Sequence, residues 1–157
     1  MPAGNRRQFF WLPRSSRFSC TLPAVGDLVF FYGTLMAGFD RRRRAGIDDR
    51  LTYVGRGAIH AALFDVGLYP AAVPAPEALV WGEVYAMRGR DLVLAALDEI
   101  EGYRVDDPDR SLYLRQETDV RLPDGTFATA SVYFYNAPLG RAPRITSGDY
   151  LEHVRAR

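Results

Sequence analysis

The chain has 157 residues, of which 48% are hydrophobic, 13% aromatic and 25% charged. That is the composition and length of one globular domain and excludes disordered and fibrous classes. All 20 basic residues are arginine, the cysteine is Cys20 and the histidines are His60 and His153, which argues against lysine nucleophiles, phosphate-loop lysines, structural zinc and disulfide frameworks. A net charge of +1 supplies no global field for nucleic acid or an anionic membrane.

Residues 1–26 are rich in arginine (Arg6, Arg7, Arg14, Arg17), and no acid precedes Asp27. They lack the ~7–15-residue apolar centre of a secretory signal. The stretch reads as a disordered extension, although an organelle transit peptide shares this composition. With no apolar run near the ~18–20 residues of a membrane span, a cytoplasmic protein is expected, its domain occupying 27–157.

The fold begins at the apolar run 28–32, closed by Gly33, which predicts a buried strand. Arg41, Arg42, Arg43 and Arg44 follow as a charge run; without an aromatic stacking platform nearby they read as a solvated loop. Further strands are predicted at 51–56, 58–65, 79–87, 113–122 and 127–135, the last two joined by a hairpin turn at Asp124 and Gly125. One helix is predicted over 90–101, stopped by Gly102. About six strands around one helix suggest a small closed or half-closed barrel, an α+β domain.

Two places stand out. On a helical wheel Val93, Leu94, Leu97 and Ile100 fill an arc of about 120°, and Glu101 falls inside it, whereas Asp98 lies at its edge. A carboxylate on a core face is costly to ionise, and a helix C-terminus raises its pKa further, both favouring acid–base work near neutral pH. The same spacing is satisfied if the last turn frays and Glu101 reaches solvent, Arg104 or Arg115. The second place is Tyr32, Gly33, Thr34 and Leu35, where glycine after a buried strand allows a sharp turn and exposes amide donors for an oxyanion or carboxylate. Plain turn chemistry uses the same residues, with Thr34 a cap. Glu83, alternating with Gly82 and Val84, is expected to be a half-buried structural carboxylate paired with an arginine or tyrosine.

Taken in order, Tyr32-Gly33-Thr34-Leu35, Gly67-Leu68-Tyr69-Pro70, Gly82-Glu83-Val84-Tyr85, Leu97-Asp98 with Glu101-Gly102, and Tyr113 with Arg115 resemble the gamma-glutamylcyclotransferase-like superfamily. The match is to its plant-avirulence-related and gamma-glutamylamine cyclotransferase branch; Val132, Tyr133 and Tyr135 follow on the last strand, and the landmarks span about 28–150. The resemblance implies a small mixed β-barrel with few helices, its pocket beside the first strand's loop, and no cofactor or metal. It implies Glu101 as the catalytic carboxylate, with Tyr32, Gly33, Thr34, Leu35, Tyr69 and Tyr113 binding substrate. The implied reaction closes a small γ-glutamyl amine or peptide to 5-oxoproline and releases the amine, with neither nucleic acid nor membrane as partner. The chain departs from the branch between Glu101 and Tyr113, where Asp106, Asp107, Pro108, Asp109 and Arg110 make a longer link. The alternatives are a non-catalytic small-metabolite binder of the same fold and a polyanion-binding arginine surface.

Overall fold

The architecture comes from a computed structural model that describes residues 27–157; the extension expected over 1–26 lies outside the described residues. Five strands, β1 (Leu28–Phe31), β2 (Leu51–Asp65), β3 (Pro70–Met87), β4 (Tyr113–Arg121) and β5 (Phe127–Tyr135), close into a barrel in the order β1-β3-β2-β4-β5. Three helices accompany them: α1 (Arg41–Arg44), α2 (Arg90–Glu101) and α3 (Tyr150–Arg155). Neighbouring strands are antiparallel except β1 and β5, which run parallel at Val29↔Ser131. This is the small closed barrel that the strand pattern suggests, mixed and with few helices as the resemblance implies.

β1 is buried along its whole length, as a strand covered on both faces must be, and it therefore reads as an unbroken apolar run. The core around it is filled by Phe30, Met36, Ile47, Ile59, Leu63 and Leu97. α2 buries Val93, Leu94 and Leu97, the predicted apolar face. Gly102 takes a left-handed φ of 66° after Glu101, and the Tyr103 N–H donates to the Asp98 carbonyl at 2.9 Å. The last turn is thus closed rather than frayed.

Three expectations are corrected. The segments 51–56 and 58–65 are one strand, and Gly57 does not interrupt it. A Cβ there would lie 2.5 Å from Val120 Cγ1, so the glycine lets β4 approach β2 where Ala58 pairs with Arg121. β3 starts at Pro70 instead of 79. A register shift takes the pairing from His60↔Leu79 to Ala61↔Pro74, leaving 75–78 outside the ladder, and the prolines fall where it is already interrupted. Arg41–Arg44, expected as a loop, forms one helical turn.

α3 was not anticipated. The Asp149 side chain accepts the Glu152 N–H at its start, an Asp-x-x-Glu cap, and Tyr150 stacks on Phe39 at 6.0 Å. His153 (2.8 Å) and Arg157 fasten the helix to Asp65 at the end of β2. Among the described residues no helix is long and apolar enough to cross a membrane.

Candidate active site

β1 delivers its chain directly into the turn that Tyr32 opens. The Met36 N–H donates to the Gly33 carbonyl at 3.0 Å, and a Cβ on Gly33 would stand 2.7 Å from Pro70 Cγ. Close approach of a rigid proline ring, rather than an unusual backbone angle, is what demands glycine here. The amides of Gly33, Thr34 and Leu35 donate to no acceptor among the described residues. The far end of the loop is fixed by Glu83, half-buried, whose Oε1 accepts the Ala37 N–H at 2.7 Å and the Tyr85 hydroxyl at 3.1 Å. Glu83 thus has its tyrosine partner, and it also holds the loop.

Glu101, at the end of α2, comes to the same place. Tyr32, Gly33, Thr34, Leu35, Tyr69, Tyr113 and Glu101 all line one cleft. No hydrogen bond or ion pair holds the Glu101 carboxylate among the described residues; burial pushes its pKa up to about 7, although the nearby Arg41 charge draws it down. Neither Arg104 nor Arg115 reaches it. Arg115 instead grips Asp98 with Nε at 2.9 Å and Nη2 at 3.2 Å, and the Tyr133 hydroxyl donates to Asp98 Oδ1 at 2.6 Å.

Two of the cleft tyrosines, Tyr32 and Tyr113, are neutral donors already committed to the backbone. Tyr32 donates to the Tyr133 carbonyl at 2.6 Å and Tyr113 to the Pro70 carbonyl at 2.9 Å. Burial raises both hydroxyl pKa values well above the ordinary tyrosine value, so each presents oxygen lone pairs rather than a spare proton to the cleft. Tyr133, raised by burial and by its bond to Asp98, lines the cleft as well.

Sequence reasoning missed Arg41, which also lines the cleft. It donates to Thr34 Oγ1 at 3.0 Å and to the Ile100 carbonyl at 3.3 Å, and its guanidinium lies 5.3 Å from the centre of the Tyr69 ring. Nothing in a run of four arginines separates the first from the rest; only the hydrogen bonds do. Among the described residues no three His, Cys, Asp or Glu side chains are grouped to hold a metal ion. The long link after Glu101 leaves the cleft alone: none of residues 103–112 lines it. The link is tied at its base by Leu112 N–H to the Gly102 carbonyl at 3.0 Å and by Asn136 Nδ2 to the Ser111 carbonyl at 3.0 Å.

Known structures share this arrangement of strands. YkqA from Bacillus subtilis superimposes with a TM-score of 0.62 at 24% identity, over 85% of this chain and 44% of its own, so the present chain spans less than half of that protein. An AIG2-like protein from Mus musculus gives 0.61 at 21% identity, over 80% and 88%. Protein ytfP from Escherichia coli gives 0.57 at 28% identity, over 81% and 98%. Among curated proteins nothing matches the chain. Residues 29–152 match the family described as Gamma-glutamyl cyclotransferase, AIG2-like, and with the barrel, the strand-end loop and the helix-end carboxylate in their expected order, the chain belongs to that family.

Proposed function

We propose that the chain is a cyclotransferase that closes the γ-glutamyl group of a small γ-glutamyl amine or peptide to 5-oxoproline, with Glu101 as the acid–base group. The observation that carries this reading is that one cleft is lined both by a carboxyl group at about 7 with no partner among the described residues and by the turn Gly33–Leu35, whose amides donate to no acceptor among the described residues. In this reading Glu101 takes a proton from the substrate's α-amine, which attacks the γ-carbonyl carbon. A ring C–N bond forms, and the carbonyl oxygen becomes an oxyanion held by the amides of Gly33, Thr34 and Leu35. Glu101 then returns the proton to the leaving nitrogen as the original amide C–N bond breaks.

The substrate is its own nucleophile, and a five-membered ring supplies the proximity. The chain therefore needs no activated lysine, cysteine or histidine. The lone pairs of Tyr32 and Tyr113 suit the N–H groups of the substrate's α-amine. The test is release of 5-oxoproline from γ-glutamyl amino acids, γ-glutamylamines and glutathione. Glu101→Gln keeps the side chain's size but removes the base and should lower turnover by about 10²–10⁴. Unchanged turnover removes Glu101 from the mechanism. Binding without release from any of these compounds leaves a small-metabolite binder of the same fold.

A further inference from the structure

Three of the four consecutive arginines have a carboxylate partner, two of them sharing one. Arg42 lies 3.4 Å from Asp48, while Arg43 pairs with Asp40 and Arg44 lies 3.3 Å from its other oxygen. Arg41 has none among the described residues. Its two hydrogen bonds, from Nη1 to Thr34 Oγ1 and from Nη2 to the Ile100 carbonyl, go to neutral acceptors. With the Tyr69 ring at 5.3 Å, these contacts fix the plane of the guanidinium. Of its five N–H donors, three are left uncommitted. This half-buried cation feels the charge of Glu101 when that carboxyl group is ionised but is hydrogen-bonded only to neutral groups, and the desolvation of its free N–H donors is offset when an anion arrives. Glu101 forms no ion pair with it, and Tyr32 and Tyr113 are neutral.

We infer that Arg41 is the counter-ion for a carboxylate of the substrate, so that the cleft selects γ-glutamyl compounds through a guanidinium–carboxylate pair. The inference rests on the reading above and divides the labour of the site. Arg41, bonded to the loop through Thr34 and to the end of α2 through Ile100, takes the carboxylate and leaves the amides of Gly33, Thr34 and Leu35 to the oxyanion. A planar fork with fixed orientation favours a carboxylate over a monodentate anion. The carboxylate has two sources: the α-carboxylate common to all γ-glutamyl compounds, or that of a leaving amino acid.

Binding to the Glu101→Gln protein, measured by calorimetry, separates them without turnover. The ligands are 5-oxoproline and its uncharged carboxamide for the first source, and γ-glutamylalanine and γ-glutamylethylamine for the second. The charged member of at least one pair should bind about 10–100-fold more tightly, as for hydrogen bonds to a charged group. Preference within the first pair identifies the α-carboxylate; preference confined to the second identifies the leaving group. Adding Arg41→Gln should abolish that preference, and Arg41→Lys should restore part of it. No preference in either pair, or a preference that survives Arg41→Gln, overturns the assignment. A protein that forms no 5-oxoproline yet shows an Arg41-dependent preference keeps the clamp and loses the cyclisation reading. Turnover in the otherwise native protein with KM unchanged by Arg41→Gln does the reverse.

Discussion

Asp98 and Glu101 stand three residues apart on α2, yet the surroundings that receive them are opposite. The Asp98 turn is bolted to β4 and β5, with two nitrogens of Arg115 and the Tyr133 hydroxyl on one carboxylate. The Glu101 turn opens on a cleft, its carboxyl group without a partner among the described residues and shifted to about 7. One helix therefore carries a carboxylate with three hydrogen bonds and another with none among the described residues. The first holds still the scaffold that the second needs, since Tyr133, bonded to Asp98, also forms part of the cleft wall.

Titrating the Glu101 side of this contrast should have the largest effect. If the ionised carboxylate is the base, kcat/KM should fall about tenfold for each pH unit below about 7 and level off above it. Stability should move the other way. A folded-state pKa raised from 4.5 to about 7 means that the folded protein holds a proton the unfolded chain has released between those values. That contribution is complete below about 4.5 and lost as pH rises through 7. Melting temperatures of the parent and Glu101→Gln should accordingly separate with rising pH, in favour of the variant. Parallel curves would show that Glu101 is solvated and the contrast with Asp98 false.

The Asp98 side should break as structure. Asp98→Asn leaves the Arg115 guanidinium, 23% exposed, without its charge partner and should cost about 2–4 kcal/mol in urea unfolding, somewhat below a fully buried pair. A loss under about 0.5 kcal/mol would make the network ornamental and the comparison empty. The smallest effect belongs to Glu83, a third carboxylate that resembles Asp98 in being satisfied. Glu83→Gln weakens the acceptor for the Ala37 N–H and the Tyr85 hydroxyl and should lower stability by about 1 kcal/mol, with turnover changed less than stability. An inactive variant of full stability would move Glu83 from support to chemistry.

Much of this was legible because local signals and tertiary demands agree. The apolar run of β1, the face of α2 and the stop at Gly102 express burial and backbone sterics that act within a few residues. Glu101 was legible as a carboxylate on an apolar arc, although the arc could not say whether Arg115 would claim it; that choice belongs to the geometry of β4. What stayed hidden depends on distant partners. Gly57 reads as a break until Val120 is seen filling the place of its missing side chain, and Pro74 and Pro76 read as strand breakers until the register shift is known. Arg41 is indistinguishable from its neighbours until Thr34, Ile100 and Tyr69 surround it.

The tie between Gly102 and Leu112 gives the link above it an unusual freedom. Chain closure has already been fixed at the neck by the Leu112–Gly102 hydrogen bond and by Asn136 beneath Ser111, so the entropy of the enclosed segment grows only logarithmically with its length, at about 0.6 kcal/mol for each doubling. Insertions and deletions over 105–110 are therefore thermodynamically mild, and the clasp keeps Glu101 on one side and Tyr113 on the other from inheriting them. The segment can be rewritten by mutation like a label on a sealed vessel, diversifying what the outside of the barrel meets while the cleft residues inside keep their alignment.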